Sequence, residues 1–450
     1  MHTPDIHAGD RRPPCVEPLA RTERDSADTR AMTRRQRGFS PEAPAKHRRT
    51  NVRRRLYSAL TVALTLPLAS CGGAGCQPQS ESARAPSSGP AASAITNRWH
   101  YTVRPDKDLQ QLAVSLCFDG PAPAGLVING VDIAEAVVAA RVVDGPELVV
   151  DREAERIDLA NVGVDACISY TVSLDTVVDR VSTRRASRIG ENILLTLGTW
   201  LWRPTDRAET AKITMSWELP PGMSVSHPFA PAESSQVFAH APKPIGPVAE
   251  LSTTTFRWRS QVAFGPFEVE EVKAAGATFS IASLGETNLD RTGRATWVRT
   301  AAETVALLFG KFPVPRAQIL VIPAGGGTTP VVFGLTSRGG GASVAALVSN
   351  TAGEDAFTGE WVLIHEFLHL GMPFLHSRDV WLSEGFVTYY TGVLRTRAGF
   401  RSQLEGWRSI VAGLGRGARS APGQTLAEAS AGMHEQHAYD RVYWGGAAIA

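Results

Sequence analysis

Few cysteines, little excess charge and no long apolar run characterise this chain of 450 residues. Its five cysteines include no C-x-x-C pair, which excludes the zinc-ribbon and dithiol frameworks built on that spacing. Formal net charge is only +2, and it is unevenly spread. Residues 1–55 hold fourteen Lys or Arg against seven Asp or Glu, a local +7, so the remainder carries −5. That balance argues against a nucleic-acid surface on the folded part. The apolar stretch LYSALTVALTLPLAS has about fifteen residues, short of the roughly twenty that span a bilayer. No repeat of fixed period stands out, which excludes solenoids and propellers.

What is present divides the chain into five parts. Residues 1–52 read as a disordered basic leader or a mis-assigned start, with Met32 as an alternative beginning; TRRQRGF and RRRLY also fit a twin-arginine export signal. Residues 53–71 combine Arg53-Arg54-Arg55, the apolar stretch and Leu68-Ala69-Ser70-Cys71, which looks like a bacterial lipobox. This predicts a lipoprotein-type signal, with lipidated Cys71 anchoring the mature chain to the membrane of a bacterial envelope; an uncleaved anchor is the alternative. Residues 72–97, rich in Gly, Pro, Ser and Ala, read as a flexible linker. From 98 to 275, segments such as QLAVSLCFDG, ENILLTLGTWLW and AKITMSWELP alternate with Pro and Gly turns, predicting a β-sandwich-like domain. Cys117 and Cys167 fall in two of these strands, where an exported protein can pair them or keep them as buried thiols. With 43% apolar residues the chain can fill real cores.

The chemistry concentrates in the remaining part, 276–450. Residues 365–369 read His365-Glu366-Phe367-Leu368-His369, and Glu384 follows fifteen positions beyond the second His, in WLSEGFVTYY. On a helix, positions i and i+4 share a face, so both imidazoles can meet one ion while Glu366 stands beside it. Trp361, Ile364 and Leu368 at helical spacing, then Gly371 and Pro373, predict such a helix and its end. A second helix is expected from about Val380 to Arg397, capped by Asp379 and presenting Glu384. Two His and one carboxylate fit a catalytic zinc that keeps a position for water, with Glu366 as general base. The bland alternative is a core helix with two satisfied histidines. His376 is a rival third ligand, but Gly371 and His376 each stand one residue away from the HExxHxxGxxH spacing.

These stretches resemble the glycyl aminopeptidase family of gluzincin zinc metallopeptidases and, more distantly, the large zinc aminopeptidases. HEFLH matches the zinc helix and WLSEGFVTYYTGVLRTRAG the third-ligand helix; AAETVALLFGKFPVP with AQILVIP is similar to the helix and strand before the site. YWGGAAIA at 443–450 is similar to that family's Tyr-x-Lys-Gly helix start, and the resemblance covers roughly 285–450. It implies an α+β protein in which a thermolysin-like, mainly helical catalytic domain with a small sheet follows the β-rich part. It also implies zinc, a peptide or protein substrate, and Tyr443 as hydrogen-bond donor to the oxyanion. Gly445 stands where the family has Lys, which leaves Tyr439 as a substitute donor. Gly334, Leu335 and Thr336 match the strand that grips substrate, but Thr336 replaces the acid that would hold a free α-amine, and Arg338 follows as a candidate partner for a substrate carboxylate. A binding protein with impaired turnover is the alternative these departures motivate. Because the chain stops at Ala450, the catalytic domain is expected to be trimmed on its C-terminal side or the sequence to be incomplete.

Overall fold

A computed structural model describes residues 98–450, except 129–132, 206–210, 234–237, 253–254 and 256–259. The expected leader, the expected signal with Cys71 and the expected linker to residue 97 lie outside the described residues.

The β-rich part contains a seven-stranded sheet whose middle strands are Lys212–Trp217, Arg98–Pro105, Gln111–Asp119 and Cys167–Ser173. Arg98–Pro105 runs parallel to Lys212–Trp217 and antiparallel to Gln111–Asp119. Two four-stranded sheets pack on the same core, which encloses Tyr101, Phe118, Tyr170, Trp200, Trp202 and Phe264. Two tyrosine hydroxyls taken into this core are paired with backbone groups, as burial favours. The Tyr101 hydroxyl donates to the Trp202 carbonyl (3.0 Å), and the Tyr170 hydroxyl accepts from the Trp202 amide (3.1 Å). Cys117 and Cys167 face one another across antiparallel strands, their Cα atoms 4.0 Å apart, and form a disulfide.

A five-stranded sheet follows, in the order Val269–Ala274, Ala277–Ser283, Arg316–Pro323, Ala342–Val348, Val331–Ser337. Its three inner strands are parallel and both outer strands antiparallel, so the molecule is α+β. The run Gln318-Ile319-Leu320-Val321 is continuously buried because both faces of the sheet are covered. One face packs on Leu194 and Ala263 of a four-stranded sheet. Gln318 ties the layers together: its amide donates to Ser226 Oγ (2.9 Å) and its carbonyl oxygen accepts from Ser343 Oγ (2.7 Å).

The helices are α1 (Leu174–Arg180), α2 (Arg291–Phe309), α3 (Trp361–His369), α4 (Val380–Arg397), α5 (Gln403–Arg419), α6 (Leu426–Ala431) and α7 (Tyr439–Ala447). Among the described residues no helix is long and apolar enough to cross a membrane. Helix α2 is capped by Asp290 and stopped by Gly310, whose φ of 76° suits glycine. With α3 it covers the other face of the five-stranded sheet.

Helices α4, α5 and α7 meet through glycines. A Cβ on Gly385 would collide with the Gly446 backbone, and one on Gly446 with the carbonyl of Trp381. Likewise Gly417 lies against the Gly445 amide, and Gly413 lies under the Trp444 ring. The Gly445-Gly446 pair is therefore a packing surface. Glycine inside an exposed helix is destabilising relative to alanine, so Gly446→Ala would ordinarily raise stability. Here the added methyl must separate two backbones. The expected result is a loss of about 1–3 kcal/mol by thermal or urea unfolding; a gain in stability would refute the close-packed crossing.

Candidate functional site

Helix α3 begins where Glu360, itself buried, accepts from the amides of Val362 (2.6 Å) and Leu363 (3.0 Å). A carboxylate at this end also meets the positive pole of the helix. Burial raises the Glu360 pKa, and those amide bonds and Arg395 act in the opposite direction. Leu363, Ile364, Phe367 and Leu368 are buried in the core, and Phe367 packs on the rings of Phe279 and Phe312. Trp361, expected on the apolar face, is instead 47% exposed and sets its ring edge-on to His365, 5.8 Å away.

This packing turns His365 and His369 to one side, with ring centroids 4.9 Å apart. Helix α4 spans Val380–Arg397, the range expected for it, and delivers Glu384. One Glu384 oxygen lies 3.2 Å from His365 Nε2 and 3.3 Å from His369 Nε2. Asp379 does not cap α4, contrary to expectation. It ends a preceding 3₁₀ turn at φ −109°, ψ 6°, away from the extended backbone that a cap adopts, and its side chain makes no cap bond. Ser430 Oγ instead accepts from the Trp381 amide (3.0 Å), which ties α4 to α6.

Burial opposes ionisation of Glu384, but its hydrogen bonds to His365 and His369 prevail and hold the carboxyl well below the usual carboxylate range. Ser383, next to Glu384, places Oγ 3.2 Å from His369 Nδ1 and leaves Nε2 to face the carboxylate. Sequence spacing had not singled out Ser383 or Glu360. Two imidazole nitrogens and one carboxylate oxygen, mutually within 4.8 Å and largely buried, fit a divalent transition metal. His376 is elsewhere, exposed at the start of the 3₁₀ turn, and does not join this group.

Tyr443, on α7, lies parallel to the His365 ring (8°, centroids 5.8 Å apart). Its hydroxyl is hydrogen-bonded to Glu384; burial and the carboxylates of Glu384 and Glu366 push its pKa well above that of a free tyrosine. Tyr443 is therefore a neutral donor at physiological pH. Tyr439 is 42% exposed, its hydroxyl 3.1 Å from His434 Nδ1.

The edge strand Val331–Ser337 runs alongside α3 and forms one wall of a cleft of about 260 Å³ that contains Glu366, His369, Glu384 and Tyr443. Gly334 permits this approach, because a Cβ there would strike the Glu366 and Val362 side chains. Leu335 is partly exposed on the strand. Thr336 does not present a free hydroxyl: Oγ1 donates to Glu366, lying 2.7 Å from Oε2 and 2.8 Å from the backbone carbonyl. Arg338 donates to the Met372 carbonyl (2.5 Å) and lines the same cleft. Burial lowers its pKa, while Glu384 and Glu366 act to raise it.

No protein-family model matches the chain, and no curated protein matches it in sequence. Among solved structures it is similar to an aminopeptidase N family protein from Idiomarina loihiensis, with a TM-score of 0.57 at 16% sequence identity. The match covers 78% of this chain and 65% of that one, so this chain spans just under two thirds of that protein's length. The likeness is one of fold, and the fold is aminopeptidase-like.

Proposed function

We propose that this chain is a zinc-dependent peptidase of the gluzincin kind, similar to the glycyl aminopeptidases, with a thermolysin-like catalytic domain. The observation that carries the reading is the convergence of His365, His369 and Glu384 on one point, beside a Glu366 that is not part of the group. The aminopeptidase-like fold supports it. These three residues would hold the ion, which when bound supplies Lewis-acid activation of water and of the substrate carbonyl. Glu366 takes the proton from the attacking water and returns it to the leaving amine. Thr336 orients that carboxylate by its hydrogen bond. Tyr443, kept protonated, donates a hydrogen bond to the oxyanion that develops on the scissile carbonyl. In this reading the substrate lies along the Gly334–Thr336 edge strand, whose outer side offers backbone groups for strand addition.

The reading also includes display on a bacterial envelope through lipidated Cys71; the Cys117–Cys167 disulfide supports an oxidising compartment.

Three outcomes are expected. Glu366→Gln should retain one zinc per chain by elemental analysis while hydrolysis of a peptide library falls by about two to four orders of magnitude; retained turnover would remove Glu366 from the mechanism. Thr336→Val should lower kcat by about tenfold with zinc content unchanged, and Thr336→Ser should restore it, because a hydrogen bond to a charged group contributes about 1.5–3 kcal/mol. Since the Thr336 hydroxyl is engaged by Glu366 and offers no negative charge to an ammonium, N-acetylated and free peptides should be cleaved at similar rates. A preference for free amines of a hundredfold or more, measured on matched pairs, would show that another acid anchors the N-terminus.

A further inference from the structure

A second cavity, of about 280 Å³, shares Tyr443 with the cleft as a wall and has His365 in its lining; it opens farther along the face of α4 that carries Glu384, beside Thr388, Thr391 and Arg395. Its polar lining differs in kind from that of the cleft: three guanidinium groups, Arg395, Arg401 and Arg416, and no carboxylate. Arg416 is partly compensated, 3.5 Å from Asp440 and stacked over Trp444 at 5.3 Å. Arg395 and Arg401 are half-buried, and among the described residues neither has an ion-pair partner. Arg395 Nε donates to the Gly359 carbonyl and Arg401 Nη1 to Ser409 Oγ, both neutral acceptors. Glu360 and Glu405 act on them only at longer range. Thr388, only 9% exposed, also lines the cavity, and its Oγ1 has no hydrogen-bond partner among the described residues. Burial and the neighbouring Arg401 lower the Arg395 pKa to about 10, with Glu360 opposing. The guanidinium pair is thus held together in an environment that disfavours its charge.

Like charges gathered without counter-ions beside a reaction centre are stabilised when an anion arrives. We propose that this cavity binds a carboxylate of the substrate, so that the enzyme selects peptides carrying an acidic group near the scissile bond. The proposal rests on the peptidase reading above and adds its substrate class. Arg395 and Arg401 supply the charge-assisted donors, Thr388 a further hydroxyl, and Trp361 and Trp444 the apolar flanks. The carboxylate belongs either to an Asp or Glu side chain or to the peptide's C-terminus, two sources with one chemistry.

Pentapeptides that differ only by Glu or Gln at one position, scanned across the scissile bond and prepared with free and amidated C-termini, test this. Wild type is expected to favour the carboxylate-bearing peptide by about tenfold in kcat/KM, a modest factor because the site is half open to water. The ratio should fall to near one in Arg401→Gln and largely survive in Arg401→Lys. A preference for Glu over Gln that persists in amidated peptides identifies the side chain; a preference for free over amidated peptides, whether they carry Glu or Gln, identifies the C-terminus. Hydrolysis of all four peptides at equal rates, at every position scanned, would overturn the proposal and leave the peptidase reading intact. A readout without turnover separates the two further. Because Trp361 and Trp444 line the cavity, their fluorescence in Glu366→Gln should report binding of the Glu peptide about tenfold tighter than of its Gln counterpart. Equal binding of the Glu and Gln peptides, and of their free and amidated forms, would overturn the proposal even if no peptide is ever cleaved.

Discussion

Gly385 and Gly446 let α4 and α7 meet backbone to backbone, and the positions of Glu384 and Tyr443 follow from that contact. Glu384 is the residue before one glycine, and Tyr443 lies three residues before the other, almost one helical turn. Side chains of ordinary size at the crossing would hold helix axes about 8–10 Å apart, and the tyrosine would lose its stacking on His365. Gly413 and Gly417 repeat the device between α5 and α7. Residues that carry no chemistry thus hold the chemistry-bearing ones in register.

Electrostatics follows from the same convergence. Gathering the carboxylates of Glu366 and Glu384 into a largely buried cleft is costly unless positive charge or hydrogen bonds offset it. Several groups do so. Two imidazoles face Glu384, Thr336 holds Glu366, Tyr443 donates to Glu384, and Arg338 stands by. One consequence is a tyrosine that remains neutral across the physiological range; another is a carboxylate that remains ionised to well below it. On the far side of His365 the balance is reversed: guanidinium groups gather in a cavity whose lining holds no carboxylate, and of the three only Arg416 is close to an acid.

Much of the local order was legible in the residues themselves. Helix α4 runs over the span expected for it, and the HEFLH segment is helical, as the spacing of Trp361, Ile364 and Leu368 predicts, because 3.6-residue spacing of apolar side chains is a local signal. Burial was less legible. Trp361 follows the helical pattern yet stands at the mouth of a cavity, since periodicity identifies a face without saying what covers it. Asp379 has a good capping side chain, but the chain enters α4 through a 3₁₀ turn, and Ser430, distant in sequence, takes the role. Thr336 stands out in the sequence as the loss of an acid; in the fold it is a hydrogen-bond donor to Glu366, a partner thirty residues away.

The donor types, their helical spacing and the alternation of strand and turn can be read from the residues alone, because these depend on neighbours within a turn or two of chain. Packing of the elements in three dimensions is what brings Glu384 to both histidines, lays Tyr443 against His365, turns Thr336 to Glu366, and gathers three arginines in one cavity. Each depends on how closely separate elements approach. That distance is set by the small residues and buried contacts at their crossings, which a linear pattern of apolar and polar positions does not encode.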